Sequence, residues 1–346
     1  MIEVKPTAPW KASKQDRVRD AVIFLATAFF TYIFVEITPM KGKLAYFFLF
    51  FFSYAIATGA LSFFKYGYMS AKDSAVKVII AAGGIITLIP IVSILATIIQ
   101  KGYKGIKLNI FTQDMSLATS TDPLNNGGLL HAIVGTLVMV LFALILSVPI
   151  GILTALYLTE IKGRFTKPIK FLVQAMSGVP SIVAGLFILS AVLYPITKAN
   201  SGFMGSLALT ILMIPTVART SEEVLNLIPQ DLREAGTALG GTQWRTVAMI
   251  VLPAAKSGLI TAMILGVARV AGETAPLLLV TGGGDRVNAN PFKDPMGSLP
   301  FYIWKSFNAG SEEAITRAWA GLLVLVVLVL ILFTTARFLS TRKVTR

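Results

Sequence analysis

The chain has no cysteine and a single histidine, His131, in 346 residues. Disulfides, thiol nucleophiles and cysteine metal sites are therefore excluded, and one imidazole leaves little for a histidine-based metal site or triad. Charge is also scarce. Asp, Glu, Lys and Arg make up 14% of the residues, against roughly a quarter in soluble globular chains. No G-x-x-x-x-G-K-[ST] phosphate loop occurs, so nucleotide hydrolysis belongs to another chain if it is used at all. The acids that stand in pairs, Glu222-Glu223 and Glu312-Glu313, are adjacent in sequence. Adjacent acids on a helix point in different directions, which argues against an enzyme built on paired carboxylates. No catalytic residue, metal ligand or cofactor is indicated.

What the chain has instead is apolar residues, 55% of the total, gathered in long blocks. Blocks of about 18 or more are long enough to cross the hydrocarbon core as helices. Candidate spans are 20–38, 44–64, 76–99, 131–158, 169–195, 203–218, 256–281 and 318–338. The fold class is all-α, a polytopic membrane bundle of about eight helices. The first block follows a basic stretch with Lys5, Lys11, Lys14, Arg17 and Arg19 but has no small-x-small cleavage site after it. It reads as a retained helix rather than a signal peptide.

The net charge is +14. In a lipid protein this reflects Lys and Arg collected by cytoplasmic loops rather than a nucleic-acid partner. With the N-terminus inside, the inside segments hold 20 Lys and Arg and the outside segments 10, with Arg269 within a span. Both termini are expected in the cytoplasm. The expected domains are a basic N-terminus 1–19, two additional spans within 20–75, a six-span unit 76–340 with a cytoplasmic loop 219–256, and a basic tail 341–346. Residues 20–64 are rich in Phe and Tyr, and their internal acid, Glu36, reads as an interfacial group. The polar stretches 100–130 and 282–317 read as outside connectors or as cover for a pore mouth.

The cytoplasmic loop contains PQDLREAGTALGGTQWRTVAMIVLPAAKSG at 229–258. Pro229 ends the preceding segment, and Asp231 with Glu234 fits a capping box. Leu232, Ala235 and Leu239 share one helix face. Gly240-Gly241 supplies a stop, and a second short helix is expected near 242–251. Such an element either packs on its own bundle or docks a soluble partner, and periodicity does not choose.

Within the seventh span lies ARVAGETAPLLL, 268–279. Arg269 and Glu273 are four apart and so are expected to share a helix face as a charge pair. Ionisable groups at membrane depth are costly, and they mark either a functional site or a structural pair. Gly272 and Pro276 suggest a hinge or a kink lining a cavity. Arg219, at the inner end of the sixth span, is either a snorkelling interfacial group bridged to Glu222 or Glu223, or a charge on a pathway.

The loop resembles the EAA loop of ABC importer permeases: Glu234-Ala235-Gly236, then Gly240, Ile250 and Leu252-Pro253 at the family spacing, with Gly236 in place of the third Ala. The resemblance implies that Asp231, Glu234, Ala235, Gly236, Gly240, Leu252 and Pro253 belong to a coupling element that seats in an ATPase subunit. ARVAGETAPLLL, GGLLHAIVGT at 127–136, VPSIVAGLF at 179–187 and IPTVARTSEEVLNLIP at 214–229 resemble the phosphate permeases of the Pst type. That resemblance covers roughly residues 76–340, and the first two spans lie outside it. It implies a subunit forming half of a phosphate pathway, with Arg269, Glu273 and Arg219 along it. It also implies a second permease (PstC-like), two cytoplasmic ATPase subunits (PstB-like) and an extracytoplasmic phosphate-binding protein (PstS-like). The alternatives are a sulfate, molybdate or tungstate permease of the same class, and a secondary transporter or channel using Arg269–Glu273 as a relay.

Overall fold

The structure is a computed structural model that describes residues 14–38 and 42–341. The basic stretch up to residue 13, residues 39–41 and the tail 342–346 lie outside the described residues. Seven described helical stretches are long and apolar enough to cross a membrane, and one bent pair makes an eighth. Beyond helices and turns, the described residues contain a single isolated β-bridge, Gly282 to Met296.

The chain divides into two compact units, Met1–Ala96 and Thr97–Arg346. The first holds α1 (Lys14–Ile37), α2 (Lys43–Tyr66) and most of α3 (Tyr68–Gly102). Gly67 ends α2 at φ 83, its N–H bonded to the Phe63 carbonyl at 2.9 Å, and α3 starts at the next residue. Aromatic rings join α1 to α2: Phe24 meets Phe50 edge-on with centroids 5.1 Å apart. Glu36 accepts a 2.9 Å hydrogen bond from the Tyr46 hydroxyl, so this acid is held at the end of α1 rather than within the apolar run. No residue of the α2 span is buried within the chain. Apolar surface left outward over a whole span is what a lipid solvent requires.

The second unit is built around α4 (Leu130–Leu156) and α7 (Gly202–Asn226), with α10 (Leu252–Val270) against α7. Met139, Ala143, Leu209, Leu212, Met213 and Val217 form its buried centre. α4 and α7 approach closely because Gly151 has no side chain: a Cβ there would lie 2.7 Å from Val217 Cγ1. Small residues that bring backbones together are the usual source of helix packing in lipid, where hydrophobic burial gives no drive.

Two spans differ from expectation. Segment 169–195 is not one helix. It consists of α5 (Thr166–Ser177) and α6 (Ser181–Ile188), the latter continued by wider π turns to Thr197. The two arms meet at 105°. Pro180, with φ −58 and ψ 139, is the N-cap of α6, and its ring bars helix at Val179. Segment 256–281 is also divided, into α10 and α11 (Ala275–Val280).

At the end of the unit where α4 begins, the two polar stretches are ordered against one another. Asp114 accepts from the Ser116 hydroxyl at 2.6 Å and from the N–H groups of Ser116 and Val287. These bonds, that of the Ser116 hydroxyl foremost, hold its carboxyl below the usual range. Lys305 of α12 (Leu299–Ala309) pairs with Asp285 at 2.6 Å. Arg317, 4% exposed on α13 (Glu312–Thr341), donates to the carbonyls of Asp122, Pro123 and Asn126. The stretches are thus a folded cap containing an unexpected helix, α12, rather than solvated connectors. His131 is buried beneath it, edge-on to Tyr302.

Replacing Gly151 with Leu is expected to destabilise the second unit by about 1–3 kcal/mol through overpacking. Gly83→Leu, where an added Cβ meets nothing within 4 Å, is expected to be nearly neutral. Thermal melting of the purified variants in detergent checks the difference.

Candidate functional site

Two features of the second unit could carry function: a pair of interrupted helices within the bundle, and a two-helix loop at one end.

The helix interruption begins at the end of α10. Arg269 sits in its last turn, and Ala271 caps it by donating to Val267 at 2.9 Å. The Glu273 N–H turns back to the Val270 carbonyl at 3.2 Å, and α11 starts at Ala275 with Pro276 in its first turn. Of the hinge or kink expected at Gly272 and Pro276, a kink in a continuous helix is not what is found: the helix is broken and Pro276 opens the next one. Its missing N–H falls where a helix start needs none. Nor do Arg269 and Glu273 share a helix face, because the helix ends between them, and no ion pair links them. Arg269 and Gly272 are exposed on the isolated chain and Glu273 is half-buried. Among the described residues Arg269 has no hydrogen-bond or ion-pair partner.

Pro276 is buried against α6. A Cβ on Gly185 would lie 2.7 Å from Pro276 Cα, so a glycine lets the second interrupted helix touch the first. The two breaks thus belong to elements packed on each other. Non-helical backbone at membrane depth persists only where protein covers it or where it lines a watery cavity. An unpaired guanidinium at such a break is a ready group for an anion.

Arg219 lies on α7, exposed, 3.5 Å from the equally exposed Glu223. An ion pair of this kind is worth about 0–1 kcal/mol. Glu222 is taken by Lys170 of α5 at 2.9 Å.

The loop comprises α8 (Gln230–Ala238) and α9 (Gln243–Thr246), the latter widening into π turns that run into α10. Pro229 is the N-cap of α8, with ψ 144, and no side chain caps it. Asp231 is therefore not the cap expected from the D-x-x-E spacing. It lies in the first turn, where its charge still faces the positive helix end. The C-terminus follows expectation. Gly240 has φ 80, its N–H bonds to the Thr237 carbonyl at 2.9 Å, and Gly241 N–H to Gly236 at 3.1 Å. This is a complete Schellman stop.

Gly236 is buried because α8 rests on its own continuation: a Cβ there would lie 2.7 Å from Thr246 Cγ2 and 2.8 Å from Ile250 Cδ1. The glycine serves packing within the loop. Asp231, Glu234, Ala235 and Gly240 are exposed, and so is the apolar stripe: Leu232 is 40% exposed and Leu239 88%. Leu252 is half-buried and Pro253 exposed where α10 begins.

Sequence reading missed what fastens α8. Arg233 sends Nε to both carboxylate oxygens of Glu160, at 3.2 and 3.1 Å, and Nη2 to Oε1 at 2.9 Å. Its remaining donors reach the Ile228 and Leu225 carbonyls at the end of α7. Gln243 Nε2 donates to the Glu160 carbonyl at 2.6 Å. Glu160 lies in the π turns that extend α4 and is 7% exposed, against 17% for Arg233. The clasp ties α8 and α9 to the ends of both central helices, beside a cavity of ≈ 610 Å³ lined by Gln230 and Glu234. The only sequence signal was an arginine on the side of α8 away from its apolar stripe.

A multi-pass bundle with interrupted helices and a two-helix loop exposing an apolar stripe defines the class: a membrane permease subunit. Residues 147–345 match the model of the family described as binding-protein-dependent transport system inner membrane component, and the chain belongs to this family. Among curated proteins, the phosphate transport system permease protein PstA of Mycobacterium leprae is 38% identical over 264 residues, 75% of this chain and 86% of that protein. PstA 1 of Mycobacterium tuberculosis (strain H37Rv) is 36% identical over 276 residues, 79% of this chain and 89% of that protein. Among solved structures, an inward-facing form of the MetNI methionine ABC transporter is 22% identical, covers 63% of this chain and 95% of that one, and gives a TM-score of 0.48.

Arg233→Ala leaves Glu160 buried without its partner, a change that costs about 3–5 kcal/mol. The expected outcome is a loosened loop, read as faster amide hydrogen exchange over 229–246, with the cap at the opposite end unchanged.

Proposed function

We propose that the chain is the transmembrane permease subunit of an ATP-driven importer of inorganic phosphate and forms half of the translocation pathway. It is a transporter subunit, and ATP hydrolysis is the work of a separate chain. The observation that carries the pathway assignment is Arg269: an exposed guanidinium at a helix break, with no partner among the described residues. Phosphate is an oxyanion whose oxygens match the paired donors of guanidinium. A single such group lets the anion pass, because conduction requires weak binding along the way. Selectivity then rests largely on an extracytoplasmic phosphate-binding protein. Glu273, half-buried nearby, moderates the positive field, and Gly272 leaves the backbone approachable. Pro276 fixes the start of α11 against α6. Arg219, held only by a weak surface pair, is a second way-point for the anion.

In this reading the loop 219–256 lies in the cytoplasm, as do both termini, in accord with the two-to-one bias of Lys and Arg. The cap at 103–130 and 282–311 then faces outward, toward the binding protein. Helix α8 couples the pathway to an ATPase subunit by helix-in-groove docking. Leu232, Ala235 and Leu239 supply the apolar contact, with Asp231 and Glu234 at its edge. Gly240 sets the turn to α9, and Leu252-Pro253 starts the span that ends in Arg269. A second permease subunit completes the pathway and two ATPase subunits drive it. A secondary transporter would have no use for a docking loop. Permeases for sulfate or molybdate share the loop, but the curated relatives above are named for phosphate.

Labelled phosphate uptake into cells lacking the chain and complemented with it tests the reading, with sulfate and molybdate as competitors. Arg269→Gln is expected to lower uptake about 10- to 100-fold, since a charge-assisted hydrogen bond is worth ~1.5–3 kcal/mol, while the complex still assembles. Undiminished uptake would remove Arg269 from the pathway. Leu239→Glu, which places a charge in the exposed stripe, is expected to strip the ATPase from detergent extracts. Normal co-purification would count against the coupling role of α8.

A further inference from the structure

The first unit contains a feature that phosphate transport does not call on. Helices α1, α2 and α3 enclose a cleft of ≈ 940 Å³. One wall carries large rings, among them Phe24 of α1 and Phe47, Phe50, Phe51 and Tyr54 of α2. The opposite wall, on α3, is aliphatic, with Val78, Ile85 and Ile89. Where α2 turns into α3 the walls close, and the hydroxyls of Ser62 and Ser74 share a 2.7 Å hydrogen bond. Phe64, Ile85 and Ile89 are 85%, 42% and 53% exposed, so the described residues do not fill the cleft.

An unfilled apolar cleft within the hydrocarbon layer must take either an acyl chain or a helix. Helices that pack closely in lipid present small residues to each other, whereas one wall here is mostly aromatic rings. The charges decide the rest. Arg19 near the start of α1, Lys65 near the end of α2 and Lys77 on α3 all line the cleft. The alternating direction of the three helices brings them to one end. Against them stands one acid, Asp20, paired to Arg19 at 3.0 Å. Lys65 lies over the Tyr66 ring at 5.0 Å and has no carboxylate within ion-pair distance, nor has Lys77, among the described residues. Aliphatic stems along the walls can carry both ammonium groups to the headgroup level. A basic end on an apolar cleft between spanning helices is complementary to an anionic headgroup with its acyl chains.

We propose that this cleft is a binding site for one anionic phospholipid, with the headgroup phosphate at Lys65 and Lys77 and an acyl chain between the ring wall of α2 and α3. The site is independent of Arg269 and of the docking loop, so transport and lipid binding are separable.

The test uses the full chain in its assembled complex, reconstituted in vesicles, with Tyr54→Trp as reporter. The unsubstituted complex supplies the background of the native tryptophans, which is subtracted. Vesicles are made with acyl-brominated phosphatidylglycerol or with brominated phosphatidylcholine, each diluted tenfold in unbrominated phosphatidylcholine. The expected result is quenching of the reporter indole at least about threefold stronger with the anionic lipid, a preference of the size one or two lysines confer. Adding Lys65→Gln and Lys77→Gln is expected to reduce the two lipids to equal quenching while leaving the helical circular dichroism unchanged. Equal quenching by both lipids before the lysines are changed would overturn the proposal. So would an anionic preference that survives loss of both lysines. Quenching by neither lipid would also overturn it, because protein then fills the cleft. Loss of the fold in the double variant is met by Lys65→Arg with Lys77→Arg, which must keep the preference.

Discussion

A helix interrupted inside a membrane must have its free backbone groups covered by protein, since lipid offers no hydrogen bonds. The second unit is organised around that constraint. α6 and α11 are both helical arms that begin after a break, and they cover each other through Gly185 and Pro276. α4 and α7 form the scaffold that holds them, brought together at Gly151 and Val217. Only in such surroundings does the Gly272–Thr274 stretch stay non-helical beside an unpaired arginine. A continuous helix through 256–281 would have aligned Arg269 with Glu273 and let the pair neutralise itself. The break prevents that, and the separation leaves the guanidinium available.

The same scaffold carries the two-helix loop. Glu160 extends α4, Leu225 lies in the last turn of α7, and Ile228 follows just beyond it. Arg233 bonds to all three, so α8 is fastened to the ends of both scaffold helices rather than hung on a slack connector. α9 continues through its π turns into α10, which ends at Arg269. A push on the loop thus has two mechanical routes to the break: through α10 directly, and through α4 and α7. Both run through helices that pack on one another.

What was legible in the sequence follows from how local each signal is. The spans declared themselves because lipid-facing apolar runs carry their own solvent preference, as in α2. The stop at Gly240-Gly241 was legible because a left-handed C′ residue is met by glycine alone at little cost. The bend at Val179-Pro180 carried a local signal in the proline, outweighed by the unbroken apolar run around it. Other features had no local signal. The D-x-x-E spacing was real, but Pro229 already held the extended geometry of the cap and displaced Asp231 into the first turn. Gly272 and Pro276 did mark a hinge or kink in this span; what was not local is that the helix ends outright there and that Pro276 packs on Gly185, about ninety residues away in sequence. Glu160 and Arg233 are 73 residues apart, and nothing near either marks the other.

The distribution of exposed groups bears on the proposal of a second permease subunit. Among the described residues, buried Arg317 of the second unit gives Nη2 to three carbonyls although its Nε finds no acceptor, and Arg233 is held by Glu160 and carbonyls, whereas Arg269 is exposed with no partner. Structural arginines at low dielectric are paid for with fixed acceptors. Arg269 has been left without them on a surface that ends at the edge of this chain. A second permease subunit facing that surface would exclude lipid from the guanidinium and leave water or an anion as its acceptor. Under the half-pathway proposal the two observations have one origin: among the described residues the guanidinium has no acceptor, and a transported anion would supply it.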